Sequence, residues 1–312
     1  MSDVATYLAA GTRDNTRRSY QAAVEHFEVN WGGLLPATAE SVARYLADHA
    51  ASHSINTLKL RLAALSQWHA TQGFADPTRA PVVRQVLKGI RALHPAQEKQ
   101  AAPLLIEHLK QVVQHLQRQA QQGAALHDLP MQMRARRDLA LVLLGFWRGF
   151  RSDELARLQV QDIQANAGVG MTLYLPHSKA DRQHVGTHYS TPALKTLCPV
   201  QAYIDWLTVA GIAHGPVFRK LDRWGHLAES SLNSNSLVAL LRRIFAGAGV
   251  DPALYSSHSL RRGFATWAIA NGWDLKSLMS YVGWKDMKSA MRYIDPTVSF
   301  GALAVERALL IE

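Results

Sequence analysis

Cysteine is nearly absent from this sequence. Cys198 is the only one in 312 residues, so no disulfide framework within the chain can staple its fold, and the composition fits a reducing compartment. No run approaches the roughly 18 apolar residues of a transmembrane helix. The opening MSDVATYLAAGTRDN also lacks the charged-then-apolar layout of a signal peptide. These absences predict a soluble, cytoplasmic protein with no membrane partner. Metal-binding spacings are missing as well: the histidines are scattered, and neither C-x-x-C nor H-E-x-x-H occurs. His177 and His184 read as polar loop residues. Neither a metal nor a nucleotide cofactor is expected, and the acidic metal ligands of a nuclease are not in view. Acidic residues are outnumbered, 24 against 34 lysines and arginines, which leaves a net charge of +10. That imbalance, with a pI near 9.9, favours a polyanion such as nucleic acid as partner.

What is present suggests about two domains, with 48% hydrophobic residues to fill their cores. Residues 14–95 read as helical. Tyr20, Val24, Phe27 and Trp31 recur at helical spacing, predicting one helix through Trp31. Thr38 is a candidate N-cap for a second helix over 38–51. A third runs from 55 to 72 and stops at Gly73, and a fourth covers 80–93. Arg17, Arg18, Lys59, Arg61, Arg84, Lys88 and Arg91 fall on their polar sides, as DNA-phosphate contacts or as ordinary solvated cations. The polar, proline-bounded stretch HPAQEKQAAP reads as a linker, so the expected domains are 1–96 and 104–312, with 97–103 between them.

In the second domain helices are expected over 104–119, 138–147, 199–210 and 235–248, the last carrying Arg242 and Arg243. Met171, Leu173 and Leu175 alternate as a strand, HSKAD turns, and 184–190 returns as a second strand. VFRKLDRWGHLA is loop or short strand. Chemistry concentrates in SSHSLRRGFATWAIANGWDLKSLMSYVGWKDMKSAMRYID. His258 and Arg261, at i and i+3, project from one face of a first helical turn. Leu260, Phe264 and Trp267 form the opposite apolar stripe. A helix N-terminus also favours an anion. Imidazole, guanidinium and partial positive charge can thus meet one phosphate, and Tyr293 follows after one more helix.

H-S-L-R-R-G-F-A-T, then V-G-W, then M-R-Y-I, resembles the C-terminal signature of the phage integrase family, the tyrosine recombinases. Trp284, where a second histidine is commoner, is similar to the Cre-like members. G-F-R-S-D-E-L resembles the family's first arginine box. The resemblance makes Arg151 the first catalytic arginine, with Glu154 one turn on as the carboxylate that orients it. Arg148 is an alternative on composition alone, outside the box spacing. A lysine of the strand hairpin reaches the active site in the family. Lys179 matches that place, and Arg182 competes if the register differs. The resemblance implies a mainly α fold: a helical, SAM-like core-binding domain that clamps DNA, and an α+β catalytic domain with a small antiparallel sheet.

It also implies the chemistry. Attack at phosphorus gathers negative charge on non-bridging oxygens, which Arg151 and Arg261 would grip bidentately. His258 would bond the phosphate or take the tyrosine proton, and the Trp284 indole would donate one more hydrogen bond. A phenol, with an ordinary pKa of about 10, becomes a nucleophile when cations favour its phenolate. Tyr293 fills that role and Lys179 that of general acid, giving a reversible 3′-phosphotyrosyl link. The implied partners are double-stranded DNA bearing an inverted repeat and further copies of the chain, a dimer per site and a tetramer in the synapse. The segment FGALAVERALLIE then reads as a helix that docks into a neighbouring protomer. A type IB topoisomerase and a catalytically silent DNA-binding protein of the same fold are the competing readings.

Overall fold

The hydroxyls of Thr38 and Ser54 start two helices of the N-terminal half. Each accepts a hydrogen bond, at 3.1 Å, from the backbone N–H three residues on. The computed structural model describes residues 14–95, 101–176 and 186–291 together with Tyr7, Gly11 and Tyr293, and the chain divides into two units, Met1–Lys99 and Gln100–Glu312. Lys179, Arg182, His177, His184, most of the 97–103 stretch and the segment from Ser299 onward lie outside the described residues.

The first unit is helical: α1 Asp14–Glu25, α2 Ala39–Asp48, α3 Ile55–Thr71 and α4 Pro81–Leu93. They close on Phe27, Val42, Tyr45, Leu46, Leu58, Leu65, Val83 and Ile90. The helix expected to reach Trp31 unbroken instead widens into a π-turn at His26–Asn30. Beyond it Gly33 lies flat on the Phe27 ring, where a Cβ would fall 2.4 Å from a ring carbon. Fully buried His69 donates from Nδ1 to the Leu65 carbonyl (2.7 Å) and accepts the Ala37 N–H at Nε2 (2.9 Å), tying α3 to the loop before α2.

In the second unit α5 is Ile106–Ala125 and α6 is Leu129–Trp147, both longer than expected. The end of α5, RQAQQGAA, offers only alanine and glycine as apolar residues, and in the start of α6, LPMQMRAR, Leu129, Met131, Met133 and Ala135 alternate, so neither shows a helical period. Asp128 nevertheless caps α6 through the Met131 N–H (2.8 Å), and Pro130 fits its first turn. Short α7 spans Ser152–Arg157. Glu154 reaches back to the Arg151 N–H (2.8 Å), so Arg151 holds the cap position.

A three-stranded antiparallel sheet follows in the order β1 Ile163–Asn166, β2 Gly170–Leu175 and β3 Thr187–Pro192. β1 is unanticipated, because IQAN is too short and polar to read as a strand. Met171, Leu173 and Leu175 do point inward, and Leu173 pairs with Tyr189. The returning strand sits later than expected and keeps Tyr189 and Thr191 buried. Helix α8 is Pro199–Ala210, a hairpin joins β4 Arg219–Leu221 to β5 Leu227–Ser231, and α9 is Ser236–Gly247. Then come α10 His258–Ala270, α11 Leu275–Val282 and α12 Met287–Met291. Among the described residues no helix is long and apolar enough to cross a membrane.

Helix α10 corrects the two-faced reading of its sequence: Leu260 and Phe264 are buried, but so are Ser259, Arg261, Arg262 and Gly263. Glycine lets other backbones approach it. Gly145 of α6 abuts Leu260, and a Cβ on Gly263 would sit 2.2 Å from the Leu104 carbonyl oxygen. Since Leu104 also donates its N–H to Ser259 O (3.0 Å), that backbone has little room to retreat. Gly263→Ala is expected to lower unfolding free energy by about 1–3 kcal/mol, read from urea denaturation. An unchanged midpoint would show that the Leu104 segment yields freely.

Candidate active site

Three chain segments far apart in sequence meet around the Tyr293 ring. The cap and first turn of α7 bring Arg151 and Glu154, the first turn of α10 brings His258 and Arg261, and the stretch after α11 brings Trp284. Gly283 adopts a left-handed conformation (φ 75°) that ends α11, and the Trp284 N–H then returns to the Met279 carbonyl (2.9 Å). This turn stacks the indole on Tyr293, with centroids 5.4 Å apart and an interplanar angle of 22°. The Tyr293 hydroxyl lies 3.2 Å from His258 Nδ1. The Arg261 guanidinium carbon stands 5.2 Å from the tyrosine ring centre and 5.0 Å from that of Trp284.

The two arginines differ in setting. Arg151 is part-exposed and bonds Glu154 Oε1 through Nη1 (2.7 Å). Arg261 is 1% exposed. Its Nη1 donates to the Gly149 carbonyl and lies 3.7 Å from Glu154 Oε2. Its Nε and Nη2 have no partner among the described residues, nor does the buried Trp284 Nε1. Burial first, then Arg151, pulls the Arg261 guanidinium down to about 10, so it remains charged at neutral pH. Burial also opposes the charge on Arg151, but Glu154 and Tyr293 outweigh it and hold that group above its ordinary value. One buried carboxylate therefore serves two guanidiniums, and three buried N–H donors point at no protein acceptor. Unpaired donors of this kind are costly and mark a place for an anion.

Glu154→Ala leaves both guanidiniums without their acid. Breaking a buried pair this way is expected to cost about 3–5 kcal/mol of unfolding free energy, measured by denaturant titration. A loss under about 1 kcal/mol would mean that water already screens the pair.

Of the residues singled out in the sequence, Arg151, Glu154, His258, Arg261, Trp284 and Tyr293 come together. Arg148 does not join them: it is 2% exposed, donates to Ser190 O at 3.0 Å and to Tyr281 O, and lies 3.9 Å from the Tyr281 ring centre and 4.7 Å from that of Tyr189. Arg18, Lys59 and Lys88 are exposed, and Arg17 is exposed and paired with Asp14 (2.8 Å). Arg61 is turned inward, with Nη1 2.6 Å from the Tyr45 hydroxyl. Arg242 donates to the Tyr255 carbonyl (3.3 Å) and Arg243 stands 3.9 Å from Asp138. Two participants escaped sequence reasoning. The Gly149 carbonyl is backbone, and Arg148 as a structural anchor has no sequence signal beyond its place beside the box. Among the described residues no group of three or more His, Cys, Asp or Glu is arranged to hold a metal.

Comparison with known proteins agrees with this geometry. The sequence pattern of the phage integrase family matches residues 110–299. The integrase/recombinase xerD homolog of Selenomonas ruminantium is 30% identical over 309 residues, 96% of this chain and 87% of that one. The recombinase cre of Escherichia phage P1 is 25% identical over 273 residues, 83% of this chain and 76% of its own. The Tn1549 transposon integrase, solved in complex with transposon right end DNA, shares the fold with a TM-score of 0.62 at 14% identity, covering 96% of this chain and 95% of that one. The mainly helical fold with its small antiparallel sheet, the clustered side chains and these similarities lead to one conclusion: the chain belongs to the phage integrase family, the tyrosine recombinases.

Proposed function

We propose that this chain is a site-specific DNA recombinase that cuts and rejoins strands through a 3′-phosphotyrosyl intermediate. The observation that carries the reading is the set of buried, unpartnered N–H donors of Arg261 and Trp284 beside the Tyr293 phenol. Such donors suit the charge that builds on phosphoryl oxygens. Tyr293 Oη attacks phosphorus, a P–O bond to tyrosine forms, and the bond to the 5′ oxygen breaks. His258, within hydrogen-bond reach of the phenol, takes its proton. Arg151 and Arg261 hold the non-bridging oxygens, Trp284 donates to one of them, and Glu154 keeps the arginines aimed. Lys179 delivers a proton to the departing 5′ oxygen. The reverse reaction, with a second strand's 5′ hydroxyl, rejoins the backbone with no external energy source.

The N-terminal helical unit acts as a DNA clamp through Arg17, Arg18, Lys59 and Lys88, with Arg242 and Arg243 adding contacts from the catalytic unit. The partner is duplex DNA carrying an inverted repeat, bound by two copies and paired into a tetramer through the terminal helix, in the cytoplasm. Covalent capture tests this. The protein is incubated with fragmented genomic DNA and quenched in SDS, and the protein-linked ends are sequenced. Ends converging on one inverted repeat support the recombinase, scattered ends favour a topoisomerase, and no linked ends would leave a DNA-binding protein.

A further inference from the structure

Three imidazoles and a guanidinium gather in the N-terminal unit where the π-turn, the end of α2 and α3 converge. Ring centroids are 5.0 Å apart for His26 and His49, 5.2 Å for His49 and His53, and 5.7 Å for His26 and His53. All three rings are part-exposed. Arg61 Nη1 lies 2.7 Å from His26 Nδ1 and 3.1 Å from its Nε2, and the Tyr45 hydroxyl lies 3.0 Å from Nδ1. A guanidinium only donates, so its approach to that ring opposes a further proton there. Burial, then Arg61, His49 and His53, act in the same direction and lower its pKa. His49 Nδ1 donates to the Tyr45 carbonyl (3.0 Å), and His53 Nδ1 pairs with the Ser52 hydroxyl (3.1 Å). The Nε2 atoms of those two rings remain for other work.

No carboxylate pairs with the trio among the described residues; Asp48, on the same helix as Tyr45, is taken by the Trp31 indole at 2.9 Å. A cluster that can carry several positive charges, with a fixed one already in it and no acid, calls for an anion to complete it. Arg61 also sets it against a metal ion.

We propose that His49, His53 and Arg61 form a proton-linked site for a backbone phosphate of duplex DNA, with His26 and Tyr45 holding the guanidinium. This rests on the DNA-binding reading above. Phosphate occupancy favours protonated His49 and His53, and proton uptake favours phosphate, because the two equilibria are linked.

The test measures affinity of the full chain for labelled duplex by fluorescence anisotropy at constant ionic strength. Between about pH 8 and about pH 6 the native chain is expected to gain about threefold to tenfold in affinity beyond any gain of the His49→Gln/His53→Gln variant. Equal gains in both proteins, or none in either, would overturn the site. Thermal unfolding of the variant at the higher pH checks that it folds. If no form binds duplex, the recombinase reading itself fails. Stabilisation by inorganic tripolyphosphate at the lower pH then decides the rest: native-only stabilisation keeps an anion site and overturns its assignment to DNA, and none overturns both.

Discussion

Tyr293→Phe is expected to abolish SDS-stable protein–DNA adducts while leaving duplex affinity within about twofold. The change removes one oxygen and keeps the ring. Stacking on Trp284 at 5.4 Å and the approach to Arg261 at 5.2 Å both survive, so the surrounding packing has no reason to shift. What goes is the nucleophile and its hydrogen bond to His258. A net hydrogen bond at a part-exposed position contributes only about 1 kcal/mol, whereas the covalent step has no substitute for the phenol. Gel separation under denaturing conditions reads the adduct directly. Adducts of undiminished yield in the phenylalanine variant would move the nucleophile to another side chain and sink the assignment of Tyr293.

The second large effect is Arg261→Lys. Single-turnover cleavage of a nicked duplex, which traps the covalent product, is expected to slow by about 10²–10³-fold. Lysine keeps the charge but not the planar fork, and its single nitrogen cannot donate to the Gly149 carbonyl and also place donors at the separate positions of Nε and Nη2. Those two groups, Nε and Nη2, are the ones with no partner among the described residues. The fold should tolerate the change, because a buried guanidinium with unmade hydrogen bonds contributes little to stability. Slow cleavage with an unchanged melting temperature is therefore the expected pair of results. A slowing of less than about tenfold would show that charge alone suffices and that the bidentate grip on phosphate is not used.

The sequence announces this site unusually well in some places and not in others. His258 and Arg261 were legible from their spacing on one helix turn, whereas Arg151 and Glu154 were singled out by the resemblance of G-F-R-S-D-E-L to the family's arginine box. Tyr293 and Trp284 depend on a left-handed glycine between two short helices, and Gly283-Trp284 marks that break. The burial of Arg261 was not readable. Its helix shows polar residues on one side, and only the tertiary fold places Gly149, Glu154 and Trp284 against that side. β1 was missed because it is short and polar, and the first nine residues of α6 because their apolar residues alternate instead of following a helical period; pairing across the sheet forms the one and a cap starts the other. The setting of Arg61 was not readable either. Helical spacing put it on a polar side, and the neighbouring helices turned that side inward to Tyr45 and His26. Lys179 and the segment from Ser299 onward lie outside the described residues.

Arg148 has a consequence for how the catalytic unit holds together. Its guanidinium bonds the carbonyls of Ser190 and Tyr281, positions 42 and 133 residues away along the chain. One carbonyl belongs to β3, the other to the helix that leads into Trp284 and Tyr293. In a chain with a single cysteine, this side chain is a cross-link made of hydrogen bonds and ring faces. It closes large loops in the folded state, as a disulfide would, but leaves the unfolded chain unconstrained. Reductants cannot open it, and no oxidant is needed to form it. The strand and the helix are thus joined at one point and share whatever motion that point allows.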